Sequence, residues 1–378
     1  MGGHPFLCEM TATGAGLRCA SICGRGGPVA VHRAPGRPIL PLMPELPEIE
    51  HLKRTLEPWL VGAQVLEVRL HRRDIVRRAG SRQAMRGVKP ASLLKGETIE
   101  KLIRRGKSLA IVGGTGGAVL GLHMGMTGSM LVAESQHRSE VRGQRPARRD
   151  RHVHCEWIVS RDGSPSSEAI VTFRDPRRFG GLWPFASLDD LYTNPGGWAR
   201  LGPDALTIDA MTLRERLLRT RQPMKAALLN QALVAGVGNI YADEALFAAG
   251  IHPLATPRRL RDVQWQDLAA AIRSIMQAAI ESGGSTLRDY RDAGGRSGAF
   301  TLQHQAYGRS GEACVRCSTT LRSAVIGQRT TVFCSYCQRR SFGKREAARP
   351  EISASYPQPF RGTREPRLIE PVLSVTGD

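Results

Sequence analysis

Four thiols and one proline hold most of the chemistry this chain can offer. The thiols run Cys314-x2-Cys317-x16-Cys334-x2-Cys337, two close pairs whose intervening residues are expected to form a hairpin. Four thiolates so spaced suit tetrahedral Zn²⁺, and a set of four Cys leaves no open position for water, so the ion is read as structural. Two chance C-x-x-C pairs, or a redox site, explain the spacing less well. A rigid metal-clamped hairpin would also present Arg329, in Gly327-Gln328-Arg329-Thr330-Thr331, to a phosphate. Taken alone, an Arg in a hairpin is usually just solvated.

The proline is Pro44, in Met43-Pro44-Glu45-Leu46-Pro47-Glu48-Ile49-Glu50. An internal Pro nitrogen is a tertiary amide with no lone pair to give. As a first residue it is a secondary amine, and a useful fraction is neutral near pH 7. Nucleophilic chemistry at Pro44 therefore requires it to begin the mature chain. Residues 1–42 are rich in Gly, Pro and Arg, with Glu9 as their one acid. They show no hydrophobic periodicity and are expected to be disordered. They lack the apolar core of a secretory signal and match an organelle transit peptide only weakly. The simplest expectation is that Met43 is the true initiator and that its removal exposes Pro44.

Three turns and a lysine add to this set. Ala235-Gly236-Val237-Gly238-Asn239-Ile240-Tyr241 puts two glycines ahead of a helix start. Exposed N–H groups there, with the Asn239 amide, can hold a phosphate, and a plain helix turn fits equally well. Asp175-Pro176-Arg177-Arg178-Phe179-Gly180 sets basic residues beside an aromatic. A DNA wedge needs that pairing: an apolar side chain fills the gap left by an extruded base, and an Arg meets the orphaned partner. A turn with Phe179 in the core is the alternative. His123-Met124-Gly125-Met126-Thr127-Gly128-Ser129 offers Met126 as a second plug, though a core Met is the ordinary reading. Lys107, in Arg104-Arg105-Gly106-Lys107, sits at a strand start, where a solvated Lys is commonplace.

The elements that must position these residues divide the 378-residue chain into several units. A helix is predicted from Pro47, with Ile49, Leu52, Leu56 and Leu60 as its apolar stripe and Gly62 as its end. Strands are predicted at Val65–Leu70, Ser108–Val112, Ala118–Leu122, Ser129–Val132, His152–Val159 and Ala169–Phe173. Residues 43–186 then form an antiparallel β-sandwich or barrel with the first helix packed on it. The run Glu134–Arg149 reads as a surface loop. Residues 187–205 read as a linker, 206–300 as a helical helix–two-turn–helix unit and 301–342 as the zinc hairpin. Gly283–Gly298 is expected to be a mobile loop, and 343–378 a disordered tail. The fold class is α+β.

Net charge is +20 and the pI about 10.5, which suits a polyanion: nucleic acid first, an anionic membrane surface second. No apolar run approaches the length of a membrane span. The remaining cysteines, Cys8, Cys19, Cys23 and Cys155, are scattered, and a chain this long needs no disulfide scaffold.

Taken in order, these motifs resemble formamidopyrimidine-DNA glycosylase over about Met43 to Arg340. The resemblance implies a β-sandwich, a helix–two-turn–helix domain and a zinc hairpin, with damaged double-stranded DNA bound between them by a monomer in the bacterial cytoplasm. It implies that the Pro44 amine attacks C1′ of a flipped, oxidised purine nucleotide. Glu45 would then be the catalytic carboxylate, Lys107 the lysine of β-elimination, and Arg329 the arginine of δ-elimination. Asn239 would hold a phosphate at the lesion. Met126, Arg177 and Phe179 would be the inserted residues, with Arg177 on the opposite cytosine. His152 would contact DNA, Lys225 would read the base, and Arg219 and Arg221 would add backbone contacts. Gly283–Phe300 would be the lesion-capping loop. Asn230 stands where the family usually has Asp, which keeps the shape and loses the charge. Three competing readings are an endonuclease VIII-like glycosylase for oxidised pyrimidines, a non-catalytic zinc-dependent DNA-binding protein, and a zinc-ribbon RNA-binding protein.

Overall fold

The first helix, α1 (Leu46–Leu60), is fixed at its start by its own side chains. Pro47 lies in the first turn, and Glu48 accepts the Glu45 backbone N–H at 2.9 Å. Its apolar residues divide between two cores: Ile49, Leu52, Leu56 and Leu60 pack into the sandwich, while Leu46 belongs to the helical core. Gly62, at φ +81°, ends it, as the sequence predicts. The computed structural model describes residues 44–81, 83–114, 116–134, 150–164, 167–285, 293–294 and 298–339. The predicted disorder of 1–42 and 343–378 lies outside them, as do nearly all of the predicted Glu134–Arg149 loop and most of Gly283–Gly298. All described residues fall in one compact unit.

The sandwich consists of two four-stranded antiparallel sheets. One has the order β1 (Gln64–Leu70), β6 (Val153–Ser160), β7 (Ala169–Arg174), β5 (Ser129–Glu134). The other runs β2 (Ile99–Arg105), β3 (Ser108–Gly113), β4 (Val119–His123), β8 (Gly181–Phe185). Between them Leu109, Leu122, Met130, Trp157 and Phe173 are buried. In β3 alternate residues serve two cores: Leu109 and Ile111 face this one, and Ala110 and Val112 face a smaller cluster with Phe185 and Trp198. β2 and β8 are strands that the sequence pattern did not show.

A short helix, α2 (Leu188–Thr193), capped by the Ser187 hydroxyl, occupies part of the predicted linker. The helical unit follows: α3 (Ala210–Leu218), α4 (Met224–Leu229), α5 (Asn239–Ala248) and α6 (Asp262–Glu281). Leu213, Leu217, Leu228, Val237, Tyr241 and Phe300 form its core. Asn230 accepts the Ala232 N–H through its side-chain carbonyl at 3.0 Å, so the turn after α4 is capped without a carboxylate. The last unit is the hairpin β9 (Arg322–Ile326) and β10 (Arg329–Phe333), turned by Gly327 and Gln328, both with positive φ. Among the described residues no helix is long and apolar enough to cross a membrane.

Candidate catalytic and nucleic-acid site

α1 delivers Pro44 and Glu45 onto the start of α5. The Leu46 N–H reaches the Gly236 carbonyl at 3.3 Å, and Glu45 Oε1 accepts the Ile240 N–H at 3.0 Å. The carboxylate thus lies at the positive end of a ten-residue helix. Only glycine permits this approach: a Cβ on Gly238 would lie 2.1 Å from Glu45 Cδ, and one on Gly236 would lie 2.4 Å from Leu46 Cδ1. The two glycines that read as a phosphate-binding turn therefore also seat the carboxylate. Pro44 is buried, and Glu45 Oε2 is buried without a hydrogen-bond partner among the described residues.

Burial raises the Glu45 pKa to about 7; the Glu48 charge adds to this, while Lys107 and the Ile240 and Tyr241 N–H groups oppose it. Burial is also the main reason the Lys107 amine lies below the usual lysine range. Arg329 pushes it the same way, and Glu45 pulls it back. A carboxyl raised by burial near an amine lowered by burial has the electrostatics that acid–base chemistry uses. Arg329 itself is exposed on the hairpin turn.

Glu48 anchors the carboxylate's surroundings. Besides the Glu45 N–H it accepts the Tyr241 hydroxyl and the Ser285 N–H, each at 2.7 Å. Burial, followed by the Glu48 charge, holds the Tyr241 phenol well above its usual range.

The wedge residues gather on one face. Asp175, fully buried, accepts the Thr127 hydroxyl at 2.5 Å, the Arg177 N–H at 3.2 Å and the Gly180 N–H at 2.8 Å. One carboxylate therefore fastens the Met126 turn to the Arg177–Phe179 turn. Arg177 is exposed and stacks 4.7 Å over the Phe179 ring, which is 51% exposed, so Phe179 is not a core residue. Met126 is half-buried. The His152 carbonyl accepts the Asp175 N–H, which puts His152 at the base of this face.

Asn239 donates from Nδ2 to the Thr330 carbonyl at 3.2 Å, and its Oδ1 is buried without a partner among the described residues. Lys225 departs from expectation. It was expected to face a base, but its side chain is fully buried, paired with Asp243 at 2.7 Å and bonded to the Thr330 carbonyl at 3.1 Å. Asp243 in turn accepts the Val332 N–H at 3.0 Å. This pair fastens β10, and with it Arg329, to α5. Arg219 and Arg221 are exposed beyond the end of α3, outside the Glu45 cluster.

Two residues that join the site were not assigned a role from the sequence. His123 pairs with Ser108, the residue after Lys107, across β3 and β4, and burial, then the charges of Lys107 and Arg77, lower its pKa to about 4. Its Nδ1 accepts the Gly125 N–H at 3.0 Å, so it faces the site as a neutral ring. Tyr307 lies near the Asn239 side chain, and burial, then the Glu45 charge, raise its phenol to about 12. Tyr307 stands in no recognisable motif, and only the fold brings it here.

The four cysteines converge. Their sulfurs all lie within 4.8 Å of one another, with Cys314–Cys337 at 3.9 Å and Cys317–Cys334 at 3.5 Å. A tetrahedron of Zn–S bonds has edges of roughly 3.8 Å. Backbone N–H groups of Arg316 and Cys337 point at the sulfurs of Cys314 and Cys334, as suits thiolates. The donor set fits Zn²⁺. Because Arg329 rides on this hairpin, zinc chelation is expected to abolish DNA binding in a titration against duplex DNA. Unchanged affinity in the chelated protein would count against Arg329 as a phosphate ligand.

Three family models match. Residues 43–182 match the formamidopyrimidine-DNA glycosylase N-terminal domain, 201–291 the H2TH domain of the same enzyme, and 311–340 the zinc finger found in FPG and IleRS. The formamidopyrimidine-DNA glycosylase of Stenotrophomonas maltophilia is 40% identical over 295 residues, covering 77% of this chain and 98% of the relative. That of Bacillus subtilis is 35% identical over 292 residues, with the same coverage. Among solved structures, the MutM (FPG) protein of Thermus thermophilus is 33% identical with a TM-score of 0.63, covering 79% of this chain and all of that one. A Lactococcus lactis FPG mutant in complex with a Fapy-dG containing DNA is 30% identical with a TM-score of 0.65, covering 78% of this chain and all of that one. With three matching models between residues 43 and 340 and a relative 40% identical over nearly its whole length, the chain belongs to the formamidopyrimidine-DNA glycosylase family.

Proposed function

We propose that this chain excises oxidised purines, 8-oxoguanine and ring-opened purines, from double-stranded DNA in base excision repair and then cleaves the strand. The observation that carries this is the buried Glu45 carboxyl, seated on the Ile240 N–H at the start of α5 with its second oxygen left unpartnered among the described residues. In a chain beginning at Pro44, the secondary amine attacks C1′ while Glu45 protonates O4′ and the C1′–O4′ bond breaks; the base then leaves with the amine's proton, which gives an iminium. The iminium so formed is an electron sink, so the C2′ proton is lost and the 3′ phosphate bond breaks by β-elimination. Lys107, with its lowered pKa, is suited to take that proton. The 5′ phosphate then leaves by δ-elimination, for which Arg329 is the candidate beside the phosphate. Asn239, Tyr307 and His123 are proposed to hold phosphate oxygens. Met126, Phe179 and Arg177 fill the gap left by the flipped nucleotide, with Arg177 on the opposite cytosine. His152, Arg219 and Arg221 are proposed as flanking backbone contacts. One structural zinc shapes the hairpin. The proposed enzyme acts as a monomer in the bacterial cytoplasm.

The test is a single-turnover comparison of duplexes carrying 8-oxoguanine opposite cytosine or thymine glycol opposite adenine. Faster release of the purine lesion is expected. Faster release of the pyrimidine lesion would favour the endonuclease VIII-like reading.

A further inference from the structure

One buried polar cluster has no part in the chemistry above. The Arg104 side chain is 7% exposed, between Glu50 at 11% and Asp204 at 18%. Arg104 Nε donates to Glu50 Oε2 at 2.7 Å. Its Nη1 and Nη2 grip Asp204 bidentately at 2.6 and 3.1 Å, and Nη1 also reaches the Gly106 carbonyl at 3.1 Å. Asp204 completes the ring by accepting the Gly106 N–H at 2.8 Å. Few isolated ion pairs are so fully satisfied.

Each arm leads through a short segment of chain toward a proposed reacting group. Glu50 lies on α1, whose N-cap is Glu45. Gly106 is the residue before Lys107. Asp204 forms a parallel bridge with Ala235, the residue before Gly236, whose carbonyl receives the Leu46 N–H. Gly106 has φ +58°, and a Cβ there would lie 3.0 Å from Ala235 Cβ and 3.1 Å from Gly236 N. The turn that carries Lys107 thus rests directly on the turn that seats Glu45. Three segments distant in sequence meet here, and the Arg104 side chain bonds to α1, the Lys107 turn and the Asp204 turn alike. A buried ion cluster is seldom more stabilising than apolar packing of the same volume, so stability alone is a poor reason for it.

We propose that Glu50, Arg104 and Asp204 form a positioning triad that sets Lys107 in register with Glu45 and Pro44 for strand cleavage. This rests on the lyase reading above. None of the three touches substrate; they act through the placement of the Lys107 turn. A shift of about 1 Å in a reacting group is enough for a loss on the order of 10²-fold.

Arg104→Lys tests it, because an ammonium keeps the charge but cannot bridge two carboxylates bidentately. Two measurements are made on the zinc-loaded protein beginning at Pro44. The first is single-turnover cleavage at a preformed abasic site, beside affinity for a duplex holding an uncleavable abasic analogue. The second is the pH titration of the Lys107 amine by competitive acetylation and mass spectrometry. Cleavage is expected to fall at least about tenfold with affinity nearly unchanged, and Lys107 to titrate closer to an ordinary lysine. Asp204→Glu, which keeps the bidentate pair, should restore more cleavage than Asp204→Asn. Cleavage that falls only as far as affinity does, or an unmoved Lys107 titration, overturns the proposal. If Arg104→Lys does not fold, Asp204→Asn takes its place with the same readouts. Wild-type protein that fails to cut abasic DNA sinks the lyase reading instead, and the Lys107 titration, which needs no reaction, still decides the triad.

Discussion

Glu45→Gln will lower base release by about 10²–10⁴-fold at pH 7 while leaving DNA affinity close to that of the parent. The amide keeps the shape and can still accept the Ile240 N–H. It cannot give up a proton. Because burial lifts the carboxyl from 4.5 to about 7, a large share is protonated at neutral pH, which an ordinary glutamate would not achieve. The sign of the pH effect follows. Base release by the parent should fall as pH rises through about 7, and the residual rate of the Gln variant should lack that limb. Stability moves in the same direction: a raised carboxyl favours the native state fully below its unfolded pKa, and this contribution is lost as pH rises through the folded value. A variant with the parent's rate and pH profile would remove Glu45 as the acid.

The parts legible in the sequence were those written in local spacing. The Cys quartet, the apolar stripe of α1 and the alternating strands need only neighbours a few residues away. β8 was hidden by Pro184, which argues against a strand; it is tolerated because β8 is the edge of its sheet. β2 was hidden by its charges, and Arg104 reads as solvated until Glu50 and Asp204, which lie 54 and 100 residues away, close over it. The Lys225–Asp243 pair was hidden for the same reason, since the partner becomes visible only when α5 packs on α4. Asp175 was quoted for its turn, but its role as the fastening of both wedge turns depends on Thr127. Tertiary pairing of charges is what single-sequence reasoning handles worst, because periodicity assigns every charge to the solvent side.

The second large effect concerns Pro44. An amine attacks C1′ only if its lone pair is free, and any residue ahead of Pro44 converts that nitrogen to an amide. Pro44→Gly in a chain beginning at this position keeps an amine and should retain part of the reaction. Acylation of Pro44 by one added residue should remove all of it, even though Glu45, Lys107 and the DNA-binding face are unchanged. The chemistry of the nitrogen, not the fold, makes that difference.

Borohydride trapping on an 8-oxoguanine duplex measures this most directly. Two forms are compared, one beginning at Pro44 as shown by intact mass and one retaining residues 1–43. The expected result is a covalent protein–DNA adduct from the first and none from the second. Equal trapping by both would contradict Pro44 as the nucleophile.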